Sequence, residues 1–221
     1  MQTHYFDPNP TTEHRENELS IRLHGHDFQF KTDSGVFSRQ RLDFGTELLL
    51  ETVIDDQQKI RPKLVGRLLD LGCGYGPVGI VMKRLFPALD VVLCDVNERA
   101  LTLARSNARQ NQAQYLEIVM SDGLQSVRGD FDLILTNPPI RAGKTVVYRF
   151  FTEAADRLCD GGCLYVVIQK KQGAPSALKK LQDLFGAVEV INHKAGYWII
   201  KAVHQGIVGQ KPDRPDLYNG V

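Results

Sequence analysis

Between Leu19 and Thr32 apolar and polar positions alternate: Leu19, Ile21 and Leu23 share one side, Gly25 interrupts, and Phe28 and Phe30 resume the pattern. A period of two predicts a β-hairpin with one buried face. A glycine-containing loop, Ser34-Gly35-Val36-Phe37-Ser38, follows. Thr46 to Ile54 then places Leu48, Leu49 and Val53 at helical spacing. Residues 1–60 therefore read as a lead-in packed on a larger domain.

From Arg67 the pattern becomes strand, helix, strand, helix. Leu68–Leu71 predicts a strand, and Val78–Phe86 a helix stopped by Pro87. Val91–Cys94 predicts the next strand, followed by a helix over Glu98–Gln110 with Leu101, Ala104 and Ala108 on one face. Strands are expected at Leu116–Val119 and Phe131–Thr136, then a helix over Val146–Leu158 ended by Gly161-Gly162. Leu164–Ile168, a helix over Ser176–Phe185, and closing strands at Val188–Ile191 and Tyr197–Val203 complete the series. Such alternation predicts an α/β fold whose mostly parallel sheet is covered on both faces. This main domain spans residues 61–203, and residues 204–221, with two prolines and little periodicity, read as a tail.

Composition narrows the class of protein. The 221 residues are 43% hydrophobic and 24% charged, which supplies a packed core and excludes global disorder. No apolar run approaches the roughly 20 residues of a membrane span. Met1 to Asn17 is polar and has no signal-peptide core. Four cysteines form no CxxC pair, and the six histidines show no metal spacing, so reduced thiols, a cytoplasmic location and no metal are expected. The net charge of +1 excludes a strongly basic binder of nucleic acid. The charge is uneven, however: 15 Lys and Arg stand against 19 Asp and Glu over residues 1–136, and 12 against 7 over 137–221. Contacts to phosphate would fall in the second half, although solvated surface charge gives the same count.

The sharpest local signal is Asp70-Leu71-Gly72-Cys73-Gly74-Tyr75-Gly76 at the first strand–helix junction. Glycines there permit a tight turn and a close ligand approach, beside a helix N-terminus with unpaired N–H groups. Gly74 to Gly79 also matches G-x-G-x-x-G with Asp95 21 positions on, so a dinucleotide remains admissible. Against it, the acid Asp70 ends the preceding strand, where it suits a cation and would repel a pyrophosphate. S-adenosylmethionine offers an α-ammonium and no phosphate. Asp95 ends the second strand, placed for ribose hydroxyls, and Asp122 follows the third, placed for an adenine amino group. Each alone reads equally as a turn or cap residue; together they converge on the ligand-binding edge of such a sheet.

Thr136-Asn137-Pro138-Pro139-Ile140 follows the fourth strand. An amino group conjugated to a base or an amide is a poor nucleophile, because its lone pair is delocalised. An Asn carbonyl and the next backbone carbonyl can accept both of its hydrogens and aim the lone pair at a methyl donor. Prolines stiffen that turn and remove competing donors. This is preorganisation, with no strong general base required.

The chain resembles the class I S-adenosylmethionine-dependent methyltransferases, and within them the small-domain, RsmC-like ribosomal RNA guanine-N2 methyltransferases. The matching stretches are Gly35–Ser38, Leu42–Thr46, the glycine loop, Asp95, Asp122, Asn137-Pro138-Pro139 and Val167–Ala174. The resemblance implies a Rossmann-like seven-stranded sheet with an antiparallel last strand. It implies S-adenosylmethionine held by Asp70, Gly72, Cys73, Gly74, Gly76, Asp95, Val96, Asp122 and Gly123, with Phe37 and Thr46 near the mouth of the site. Asn137, Pro138, Pro139 and Ile140 would then form the catalytic turn, and a guanine of ribosomal RNA would be the substrate. Ile140 departs from the Phe or Tyr usual in the family, which removes a stacking surface for the base and leaves the target open. Family members that act on RNA guanine also carry a second domain, for which this length leaves no room. Arg141, Lys144, Lys170 and Lys171 are candidate phosphate contacts or ordinary solvated charges. Tyr197 and Trp198 read first as core. Methylation of a protein glutamine amide, and a non-catalytic RNA-binding module, are the alternatives on the same fold.

Overall fold

The computed structural model describes residues 16–33, 41–60 and 64–205. Phe37 and its loop lie outside the described residues, as does the chain from 206 onward.

The hairpin pairs β1 (Asn17–Leu23) with β2 (His26–Thr32), antiparallel, across a turn at His24 and Gly25, both at positive φ. Helix α1 (Phe44–Ile60) follows. The main sheet contains β3 (Gly66–Leu71), β4 (Leu89–Asp95), β5 (Leu116–Met120), β6 (Phe131–Thr136), β7 (Leu158–Gln169), β8 (Ala187–Lys194) and β9 (Tyr197–Val203). Its order is β5-β4-β3-β6-β7-β9-β8. Strands β3 to β7 pair in parallel, whereas β9 lies antiparallel between β7 and β8. This is the mostly parallel α/β sheet the pattern predicts, in the Rossmann-like, seven-stranded form with an antiparallel last strand that the resemblance implies.

Alternation along each strand divides the core in two. Leu68, Val91, Leu93, Leu133, Leu135 and Val167 pack on one face with the hairpin, α1, α2 (Pro77–Leu85) and α3 (Glu98–Gln110). Leu69, Leu71, Val92, Ile134, Val166 and Ile168 pack on the other with α4 (Lys144–Arg157) and α5 (Ala174–Gln182). Because both faces are covered, the central strands read as nearly continuous apolar runs.

Several element boundaries differ from expectation by a few residues, α5 ending at Gln182 before Phe185 and β8 running on to Lys194 among them, and two differences have a visible cause. Helix α1 continues past Ile54 because Asp56 and Gln57, which look like an exit, are partners of Tyr165 and Lys201 across the core. Helix α4 stops at Arg157, and Leu158 already belongs to β7. There Phe131 pairs with Leu158 and Leu133 with Cys163, a bulge that absorbs Gly161-Gly162 inside the strand.

Strand β3 has β4 on one side and β6 on the other. The chain leaves β3 outward through β4 and β5, then returns across it, which opens a crevice at the carboxyl ends of β3 and β6.

Candidate active site

A cavity of about 630 Å³ occupies that crevice. Its floor is the glycine loop. The Gly72 and Cys73 amides both donate to the Cys94 carbonyl, each at 2.9 Å, which ties the loop to the end of β4. Gly74 sits at φ +56 with open space where a Cβ would stand, so a ligand can lie on its backbone. Gly76 has a different job and does not line the cavity. A Cβ there would meet Ile80, Leu93 and Ala104, so its absence lets α2 and α3 approach the sheet.

Asp70 is 2% exposed, and its Oδ2 accepts the Gly79 amide at 2.8 Å. Burial, which outweighs the lowering by that hydrogen bond, pushes its carboxyl up to about 7; the Asp95 charge adds to the rise. Asp95 accepts from the Gly74 amide at 2.8 Å and from the Asn97 amide at 2.9 Å, and burial raises its pKa as well. Val96, Asp122 and Gly123 continue this wall. Asp122 is held by the Arg149 guanidinium, and this hydrogen-bonded partner keeps its carboxyl below the ordinary range.

The opposite wall is the Asn-Pro-Pro turn. Thr136 Oγ1 donates to the Leu71 carbonyl at 2.8 Å and fastens the end of β6 to the end of β3. Asn137 Nδ2 donates to Asp43 Oδ2 at 3.1 Å and to Thr46 Oγ1 at 2.9 Å. Both amide hydrogens are thereby spoken for, which fixes the orientation of the amide. Among the described residues no donor reaches its Oδ1. The Pro139 carbonyl accepts the Ala142 amide at 2.9 Å as a short 3-10 turn begins, whereas the Pro138 carbonyl receives no backbone donor among the described residues.

Asp43 is one cavity residue to which sequence reasoning gave no role, and Arg149 is another. Asp43 ends the chain before α1 and accepts the Thr46 amide at 3.1 Å as that helix's cap, with the same oxygen that holds Asn137. The Asp-x-x-Thr spacing ahead of an apolar helix was the available signal. Gly45 between them is obligatory, since a Cβ would stand 2.9 Å from both Asp43 Oδ2 and the Tyr197 ring.

Tyr197 requires a correction. It packs on Phe44 with ring centroids 5.5 Å apart, but it is half exposed and forms part of the cavity wall. Because β9 runs antiparallel, its first residue falls at the ligand edge. Ile140 and Arg141 line the mouth, while Lys144, Lys170 and Lys171 do not. Lys144 lies 5.0 Å above the Tyr148 ring, and the two later lysines are exposed on the turn after β7. Among the described residues no cluster of three His, Cys, Asp or Glu could hold a metal, and no helix is long and apolar enough to cross a membrane.

Comparison with known proteins agrees with this geometry. The profile of the family described as "Methyltransferase small domain" matches residues 27–201. The Bacillus subtilis (strain 168) protein YbxB is 45% identical over 204 residues, covering 91% of this chain and 98% of that protein. Ribosomal RNA small subunit methyltransferase C of Haemophilus influenzae (strain ATCC 51907 / DSM 11121 / KW20 / Rd) is 38% identical over 150 residues, 66% of this chain and 43% of that protein. Among solved structures, the T. thermophilus 16S rRNA N2 G1207 methyltransferase (RsmC), in complex with AdoMet and guanosine, superposes with a TM-score of 0.76 at 26% identity. That superposition covers 89% of this chain and 52% of RsmC, so the chain spans about half the length of these larger relatives. With one profile running from the hairpin to β9, the chain belongs to the methyltransferase small domain family.

Proposed function

We propose that this S-adenosylmethionine-dependent methyltransferase methylates the exocyclic amino group of a guanine in ribosomal RNA. The observation that carries the reading is the fixed Asn137 amide, whose hydrogens go to Asp43 and Thr46 and whose Oδ1 is left to accept.

The residues present fit the donor. Gly74 offers a backbone cradle that a Cβ would fill, and Asp70 is a buried carboxylate with a single backbone donor, lining the cavity where a cationic ammonium would compensate it. Asp95, anchored from two amides, keeps acceptor capacity for a pair of hydroxyls. Asp122 is the acceptor for the adenine amino group. When bound, the donor supplies a methyl carbon already attached to a sulfonium leaving group.

The protein's own part is alignment. Asn137 Oδ1 and the Pro138 carbonyl would accept the two hydrogens of the target amine and localise its lone pair. Asp43 and Thr46 prevent the Asn137 amide from flipping, which would present donors in place of the acceptor. Tyr197 supplies a partly exposed ring beside this turn, where Ile140 offers none. The RsmC structure with guanosine and the ribosomal RNA names of the relatives support guanine as the base.

Asn137→Ala tests the reading directly. Binding of S-adenosylhomocysteine, followed by calorimetry, is expected to stay within about threefold of wild type. Methyl transfer to small-subunit ribosomal RNA from cells lacking the protein is expected to fall by about a hundredfold or more. A variant that methylates at the wild-type rate would falsify the role of the turn.

A further inference from the structure

The wall of the cavity that carries Asp122 is reinforced from α4. Arg149 reaches across with both terminal nitrogens: Nη1 donates to Asp122 Oδ2 at 3.0 Å and Nη2 to Oδ1. Its Nε lies 3.8 Å from a Glu153 carboxylate oxygen one helical turn on. Glu153 Oε2 in turn accepts the Leu124 amide at 2.9 Å. The turn Asp122-Gly123-Leu124 is thus gripped at both ends by side chains of one helix.

Without the grip, Asp122 would be ordinary. Its side chain is 53% exposed, so an unrestrained carboxylate there would rotate freely and accept from water. A guanidinium fork fixes the plane of a carboxylate as well as its position. It occupies one acceptor direction on each oxygen and leaves the remaining lone pairs in a set orientation. Arg149 itself lines the cavity, so the oriented carboxylate faces the ligand space from a defined direction. An oriented acceptor rewards an amino group and penalises a carbonyl oxygen at the same place, because two acceptors then oppose each other.

We infer that Arg149 is a specificity-determining residue: by clamping Asp122 it makes the cavity select a 6-amino purine over a 6-oxo purine at the nucleoside end of the methyl donor. The inference rests on the placing of adenine at Asp122 in the proposed function. Arg149 acts through Asp122, so it is a positioning residue and its signature is discrimination between ligands.

The experiment compares binding of S-adenosylhomocysteine and its 6-oxo analogue, S-inosylhomocysteine, by calorimetry to wild type, Arg149→Met and Arg149→Lys. Wild type is expected to prefer the adenosyl compound by at least about tenfold. In Arg149→Met the preference shrinks to about twofold or less, through weaker adenosyl binding and an inosyl affinity that is held or raised as the opposed acceptor is released; retained inosyl binding reports an intact fold. Arg149→Lys, which keeps the charge and loses the fork, falls between. An unchanged preference in both variants, or a parallel loss of both compounds in both variants, overturns the inference and leaves the adenine reading standing. A wild-type protein with no preference overturns the adenine placement first, and the role of Arg149 with it.

Discussion

Among single residues, Asp70 carries the most unusual chemistry. The folded protein retains a proton on it between about pH 4 and about pH 7 that the unfolded chain gives up. The stability linked to this group is therefore present at low pH and is lost as pH climbs through 7. A cationic ligand reverses the preference, because only the carboxylate can compensate an ammonium. Binding of S-adenosylhomocysteine should accordingly release a proton below pH 7 and weaken toward a limit of about tenfold per pH unit. Asp70→Asn should bind weakly and without that dependence. Titrations at pH 6 in two buffers of different protonation heat would count the proton, and equal wild-type affinity at pH 6 and 8 would remove Asp70 from the site. Asp70, Asp95, Asp122 and Asn137 were legible in the sequence because each ends or closely follows a strand at the ligand edge. Asp43 and Arg149 were hidden, since their partners lie 94 and 27 positions away and only folding reveals the pairing.

Within and between elements, α3 holds the hairpin by imitating a strand. Asn107 Oδ1 accepts the Lys31 amide at 2.7 Å, and its Nδ2 donates to the Lys31 and Tyr75 carbonyls, both at 2.9 Å. Asn111 treats Gln29 the same way, accepting its amide at 3.0 Å and donating to its carbonyl at 2.6 Å. Asn107 thus joins the hairpin to the glycine loop through a fully buried amide. Asn107→Ala would strand three backbone groups, with an expected loss of about 3 kcal/mol. In a chain of this size that corresponds to a fall in Tm on the order of 6–12 °C. Gln110→Ala, on the exposed side of the same helix, should shift Tm by no more than about 2 °C. Equal melting of the two variants, read by circular dichroism, would deny the clasp. Apolar periodicity predicted α3 and the hairpin separately, but their docking rests on polar residues that interrupt the apolar stripe. The same cause hid the end of α1, whose Gln57 donates to Tyr165 Oη at 2.6 Å, beside the contact of Lys201 with Asp56 at 2.8 Å.

Across the whole molecule, the cationic second half takes on a location. The turn bearing Lys170 and Lys171 is tied to the β8–β9 turn by the Lys170 amide, which donates to the Gly196 carbonyl at 2.7 Å. Lys194 is exposed on the same edge, next to Tyr197 at the cavity mouth. These cations stand outside the cavity wall, as groups that meet a phosphate backbone would. Replacing Lys170 and Lys171 together with Ala should weaken RNA binding and lower the salt slope of log affinity by about 1 to 2. S-adenosylhomocysteine affinity should be unchanged. An RNA titration with the wild-type salt slope in the double variant would place the backbone elsewhere. The succession of strands was readable from the spacing of apolar runs, and the reversal of the last one was implied by the family resemblance, but the strand order and its meaning for Tyr197 required the third dimension.

That reversal also sets a timetable for synthesis. Asp43 and Thr46 emerge early from the ribosome, Asn137 in mid-chain and Tyr197 some 60 residues later, yet all four border one opening. The residues of the glycine elbow are therefore made well before the entrance is framed. The frame is complete only when β9 lies between β7 and β8, so the last part of the entrance is also the last to be made.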